Sequence, residues 1–261
     1  MIVYTRPPYY WMWYPYLVLS VTDSTSLYYV NRSVESVIVD AGVHKVFKEL
    51  RLKEYPGGYQ SWIHRVAMLY YTVKSYVRNV YAVIPDYPSD YPENPIQDNV
   101  ERTIRNIEYA LDNYSNVNWI VPIQGRPNSV QSVVDTINRL RELGLLKSDY
   151  VAVAPTCVAK SVDFLRRLAA AARQLLRDKR IHVFGVTMRA WSSIDKYIDS
   201  TDTVTVNYWC RVLFGKMCTT MYEKTAAWKV LLDKLLERRY ITESIYMKAL
   251  EPVQYRFSRG C

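Results

Sequence analysis

Several short apolar, β-branched runs in this chain end on a side chain able to do chemistry. Asp40 closes Ser36-Val37-Ile38-Val39-Asp40, and Asp86 closes Tyr81-Ala82-Val83-Ile84-Pro85-Asp86. Gln124 closes Trp119-Ile120-Val121-Pro122-Ile123-Gln124, and Asp199 closes the shorter Lys196-Tyr197-Ile198-Asp199. A carboxylate beside a carboxamide can read the edge of a heterocycle. For guanine, the carboxylate accepts from N1–H and N2–H while the amide N–H donates to O6. Asp86 and Gln124 supply that pair, and Tyr87 supplies a ring that can stack on the base. Gly42 and Gly125 follow Asp40 and Gln124, where a glycine lets the backbone turn sharply or approach a ligand. His44 lies just beyond Gly42, and an imidazole there is either a proton carrier or a packed loop histidine. Arg126 and Arg189 follow strand ends and suit phosphate contacts or structural salt bridges equally well.

One architecture gathers such residues. The runs just named, with Tyr16–Val21, Tyr150–Ala154 and Ile181–Val186, are continuously apolar, which suits parallel strands buried on both faces. Helix-period segments separate most of them: Tyr59–Asn79, Asn99–Asn113, Val130–Leu143 and Ala159–Asp178. That alternation predicts a parallel α/β sheet, either doubly wound or closed as a TIM-like (β/α)8 barrel, possible irregularities included. No Gly-rich turn follows the first run, as a dinucleotide-binding sheet requires. A barrel, by contrast, brings every C-terminal strand end to one mouth, and the barrel is the fold expected here. Thr203–Asn207 is either its eighth strand or a loop.

Composition narrows the setting. Hydrophobic residues at 49% and charged residues at 23% exclude disordered and low-complexity classes. The net charge of +9 fits an anionic partner such as nucleic acid, or a basic soluble surface. Four cysteines without CxxC spacing and three scattered histidines argue against a metal site, and no cofactor is expected. The cysteines read as free thiols of a cytoplasmic protein, Cys210 and Cys218 being the pair able to bridge. No run of about 18 apolar residues exists, so neither a membrane span nor a signal peptide is expected. The chain reads as one domain over 1–261. Residues 1–15 form an aromatic arm packed on the barrel or stacked on bases, and residues 219–261 form C-terminal helices. The oligomeric state is left open, a homodimer included.

In order along the chain, six segments resemble the tRNA-guanine transglycosylase superfamily. They are Val39-Asp40-Ala41-Gly42, Ile84-Pro85-Asp86-Tyr87-Pro88, Pro122-Ile123-Gln124-Gly125, Tyr150 to Cys157, His182-Val183-Phe184-Gly185-Val186 and Ile198-Asp199-Ser200-Thr201. The likeness spans roughly residues 36 to 215 and is greatest to shortened relatives in phages, archaeal elements and DNA-modification clusters. It implies a TIM barrel that exchanges guanine for a 7-deazaguanine in nucleic acid, DNA before tRNA. It further implies that Asp40 is the acid/base, that Asp86, Gln124 and Gly125 face the base, and that Asp199 is the nucleophile. A carboxylate attacking ribose C1′ turns one displacement into two. Read without the resemblance, Asp199-Ser200-Thr201-Asp202 is a good capping string. The sequence departs from the family in its reduced Asp40-Ala41-Gly42-Val43-His44, in Ala154-Pro155-Thr156-Cys157 where a Gly-rich segment is expected, and in lacking the zinc-binding cysteines. Two other readings stand beside this one: a catalytically inactive nucleic-acid-binding relative, and an unrelated TIM-barrel enzyme acting on a small anionic metabolite.

Overall fold

Eight parallel strands form one sheet in the computed structural model, which describes residues 1–89, 96–156, 161–203 and 205–258. They are β1 (Ile2–Tyr4), β2 (Tyr16–Ser20), β3 (Ser36–Asp40), β4 (Asn79–Val83), β5 (Trp119–Ile123), β6 (Tyr150–Val153), β7 (Arg180–Val183) and β8 (Ser200–Asp202). The sheet runs β1-β8-β7-β6-β5-β4-β3-β2. Thr5 closes it, donating its N–H to the Tyr16 carbonyl at 3.0 Å and accepting from Val18 N–H at 3.4 Å. The expected TIM-like barrel is therefore the fold.

The strands are apolar on both faces because both faces are covered. Val37, Val39, Val80, Ala82, Val121, Val151 and Ile181 point outward into the main core. Tyr4, Ile38, Val83, Ile120, Tyr150 and Ala152 pack against one another inside the barrel. Helices α1 (Gly58–Lys74), α2 (Ile96–Asn113), α3 (Val130–Glu142), α4 (Val162–Leu175) and α5 (Met188–Ile194) follow β3 to β7 in turn. Each buries a helical stripe, such as Ile63, Val66, Ala67, Tyr70 and Val73 on α1, or Val133, Ile137 and Leu140 on α3. Ser129 and Ser161 cap α3 and α4 by accepting from Ser132 N–H and Phe164 N–H. Among the described residues three further helices follow: α6 (Thr205–Phe214), α7 (Met221–Glu237) and α8 (Glu243–Ser258). Among the described residues, no helix is long and apolar enough to cross a membrane.

The structure corrects the expected plan in four places. Residues 2–4 of the supposed arm are a barrel strand; three residues are too short to show a period, and their partner β8 lies at the other end of the chain. The crossovers after β1 and β2 carry no α-helix, only the segment 5–15 and a 3₁₀ turn at Ser26–Tyr29. The C-terminal helices pack against this segment instead: Trp228 on α7 meets Tyr14 edge-on at 5.7 Å, and Lys248 on α8 lies 4.0 Å from the Trp13 ring. Lys196–Asp199 is a turn, β8 begins one residue later, and α6 starts at Thr205 where a strand or loop was expected. Cys210 and Cys218 are joined by a disulfide rather than being free thiols. Cys157, Cys261, Pro92 and Pro95 lie outside the described residues.

Trp228 is wholly buried. Trp228→Ala is therefore expected to lower the unfolding free energy by about 3–5 kcal/mol, measured by urea denaturation.

Candidate functional site

The C-terminal ends of the strands converge on one rim. At the end of β3, Asp40 accepts the Gly42 N–H at 2.9 Å. Gly42 has φ +71, and a Cβ there would sit 2.4 Å from Thr22 Cγ2, so this turn requires glycine. Burial pushes the Asp40 carboxyl up to about 6. The charge of Asp202 adds to that rise, while bonds from Gly42 and Ser20 oppose it. The result is a carboxyl able to exchange a proton near neutral pH.

Asp202 ends β8 across the rim. Its Oδ1 accepts the Gly185 N–H at 2.9 Å and lies 3.2 Å from His182 Nε2. His182 is fully buried on β7, and its Nδ1 is 2.8 Å from Ser200 Oγ, which in turn bonds the Tyr150 hydroxyl. Hydrogen bonds thus run from Tyr150 at the start of β6 to the carboxylate at the mouth. Ser200 is itself wholly buried. Ser200, His182 and Asp202 therefore orient a carboxylate and do not form a serine nucleophile with its base.

The third group is Asp86 with Gln124. Gln124 Nε2 donates to Asp86 Oδ2, and both residues are buried. Gln124 Oε1 is buried with no hydrogen-bond partner. The loop carrying Asp86 is held from α2: Asn106 Nδ2 donates to the Pro85 carbonyl at 2.7 Å, Asn99 Nδ2 to the Pro88 carbonyl at 2.9 Å, and Thr103 Oγ1 accepts from Tyr87 N–H at 3.0 Å. The Tyr55 hydroxyl donates to the Asp86 carbonyl from the other side.

Asp40, Asp86 and Gln124 thus reach the mouth as expected from sequence, whereas other predicted residues do not. Asp199 precedes β8 and sits at the opposite end of the barrel, where its Oδ2 accepts from Ile181 N–H at 2.7 Å and from Arg173 Nη2 at 2.5 Å. Because the strand starts at Ser200, the carboxylate carried to the mouth is Asp202, three residues or roughly 10 Å further along an extended chain. Tyr87 is only 2% exposed. Its ring packs between Phe47, Tyr55 and the Arg102 guanidinium, and its hydroxyl bonds Glu54, so it braces the loop rather than stacking on a base. Gly125 is a packing requirement, since a Cβ there would lie 2.5 Å from Val133 Cγ2. His44 is exposed on the π-helical turn after Gly42, its Nδ1 3.4 Å from Glu49 Oε1. Arg126 and Arg189 are exposed after β5 and β7.

Asp202 does not stand out in the sequence, where it falls in the capping string Asp199-Ser200-Thr201-Asp202. The available signal was period-two alternation, which puts Ser200 and Asp202 on the same face of β8. Among the described residues, no three His, Cys, Asp or Glu side chains are grouped so as to hold a metal ion.

No family model matches this chain, and no curated protein matches it. Among solved structures it is similar to the carboxyl transferase domain of Rhizobium etli pyruvate carboxylase with 3-bromopyruvate, at TM-score 0.43 and 11% identity over 86% of this chain and 40% of that one. A structure of that domain with pyruvate gives TM-score 0.42 and 11% identity over 91% and 44%. Another of the same domain gives TM-score 0.43 and 10% identity over 88% and 41%. The chain spans about two fifths of the length of these structures.

The raised pKa of Asp40 has a definite sign. The folded carboxyl holds its proton up to about 6 and the unfolded one only to 3.8, so stability is lost as pH rises through that window. Asp40→Asn keeps an acceptor for Gly42 and removes the charge. It is expected to be neutral near pH 4 and to stabilise by on the order of 2–3 kcal/mol above pH 6, read from urea unfolding across that range.

Proposed function

We propose that this barrel exchanges guanine for a 7-deazaguanine in nucleic acid, with Asp202 as the nucleophile. The observation that carries the reading is the Asp86–Gln124 pair, buried at the mouth with Gln124 Oε1 unpartnered. A carboxylate and an amide oxygen accept from the N1–H and N2–H edge of guanine, and the second amide N–H suits O6. A 7-deazaguanine presents the same edge, so one pair of side chains reads both bases.

Two further carboxylates at the rim supply the displacement. The Asp202 carboxylate attacks ribose C1′ while the C1′–N9 bond breaks, and Asp40 gives its proton to the departing base. The incoming base then returns a proton to Asp40, its N9 attacks C1′, and the ester to Asp202 opens. Two inversions retain the configuration at C1′. His182 and Gly185 hold the attacking carboxylate in place. The target nucleotide has to leave its stack to reach the mouth. The +9 charge, with Arg126 and Arg189 exposed near the rim, favours phosphate contact. DNA is the favoured polymer, on the resemblance to short zinc-less relatives.

The test is labelled guanine incubated with tRNA, duplex DNA and single-stranded DNA, followed by counting label in the polymer. Wild-type protein should incorporate it. Asp202→Asn and Asp40→Asn should lower the rate about 100-fold or more. Asp199→Asn should keep its rate and lose only on the order of 1 kcal/mol of stability, as a partly exposed ion pair with Arg173 is broken. Loss in folded Asp199→Asn with retention in Asp202→Asn would reverse the assignment. Separately, Asp86→Asn should abolish guanine binding in equilibrium dialysis. Folded wild-type protein that binds polymer without incorporating label would leave a nucleic-acid-binding relative without the chemistry.

A further inference from the structure

At the end of the barrel opposite the mouth lies a second cleft, of about 520 Å³, between the starts of β4 to β7. Its lining includes Tyr81, Trp119, Tyr150, Arg180, Lys147 and Asp149. Arg180, the first residue of β7, is half-buried in it. Its guanidinium lies 4.2 Å from the Tyr150 ring centre and 4.9 Å from that of Tyr81, and Nη1 donates to the Tyr81 hydroxyl at 2.7 Å. A guanidinium has five N–H donors, so this bond leaves most of them for other acceptors.

No carboxylate among the described residues lies within ion-pair distance of Arg180. The tyrosines around it do not neutralise it, because burial holds Tyr4 and Tyr150 in their neutral forms. Buried cations are ordinarily paired; Arg180 is half-buried, has no carboxylate at ion-pair distance and faces the open volume of the cleft. Lys147, exposed on the lip, adds a second positive charge against the single carboxylate of Asp149. The remaining walls combine aromatic and apolar side chains with the polar Ser115, Asn118 and Ser148. The cleft falls in the size range of small-molecule sites, which combine apolar walls with a few placed polar groups.

We propose that this cleft binds an organic anion, a carboxylate or phosphate carried on an aromatic ring, with Arg180 and Lys147 as its counter-ions. The site is separate from the mouth and does not depend on the chemistry proposed there.

Calorimetric titration of the whole protein with phenyl phosphate, benzoate and the neutral benzyl alcohol tests this. At least one of the two anions should bind, the difference between them identifying the preferred head group, and benzyl alcohol should bind at least about tenfold more weakly. Arg180→Gln should weaken anion binding about tenfold or more. Because Arg180 also packs on two tyrosines, Lys147→Glu on the exposed lip provides a variant that leaves the interior untouched, and it should weaken binding several-fold. Asp86→Asn at the mouth should leave the affinity unchanged. No binding of either anion, equal binding of benzyl alcohol, an unaltered affinity in Lys147→Glu, or loss of binding in Asp86→Asn would each overturn the proposal.

Discussion

Closure of this barrel rests on a three-residue strand. β1 pairs with β8 through Ile2–Ser200, Val3–Thr201 and Tyr4–Asp202, and Thr5 then reaches Leu17 on β2. Its side chains reinforce the seam: Thr5 Oγ1 donates to the Thr203 carbonyl at 2.9 Å, and the Tyr4 hydroxyl bonds Ser36 Oγ at 2.8 Å across the interior. A parallel register fixes which residues of a strand point inward and how far along they lie, and a shift of one residue exchanges the two faces. This seam therefore determines that Asp202, and not Asp199, stands at the mouth beside Asp40.

The interior shows how a narrow barrel holds polar groups. Tyr150, Ser200, His182 and Asp202 satisfy one another in a continuous chain, as do Tyr4 and Ser36. Satisfied networks of this kind rigidify the groups they contain, whereas an unpaired buried polar atom is costly. The unpaired exceptions among the described residues fall into two groups. Trp209 Nε1, Thr225 Oγ1 and Trp228 Nε1 lie in the C-terminal helices, while Ser89 Oγ and Gln124 Oε1 lie just beyond the ends of β4 and β5, with Asn106 Oδ1 on α2 beside them. The second group surrounds the Asp86 loop. Native structures seldom leave such groups orphaned without a reason, and a ligand edge is one.

Environment separates residues of one type. Asp40 is desolvated near a second carboxylate and has a raised pKa. Asp199 sits at the other end of the barrel against Arg173 and a backbone N–H, a structural arrangement. Gly42 and Gly125 both follow a polar strand end, yet one is needed for a left-handed turn and the other for the close approach of α3. Tyr87 stands next to Asp86 in sequence but turns into an aromatic cluster with Phe47 and Tyr55.

Much of the architecture was legible in the sequence, because strand and helix periods are local properties. Continuous apolar runs alternating with amphipathic helices lead to a parallel barrel, and polar strand ends lead to Asp40, Asp86 and Gln124 at its mouth. Three decisions were not local. Ile2–Tyr4 becomes a strand only by pairing with residues about 200 positions away. The start of β8 is set by its neighbours β1 and β7, since Ile198 is as buried and apolar as a strand residue while lying outside the strand. The inward or outward aim of Tyr87, and the missing counter-ion of Arg180, depend on what other elements bring alongside. Sequence by itself determined the strands β2 to β7 and the helices α1 to α4 between them, because their periods are local. Tertiary packing decided the register, and with it which of two aspartates three residues apart faces the mouth.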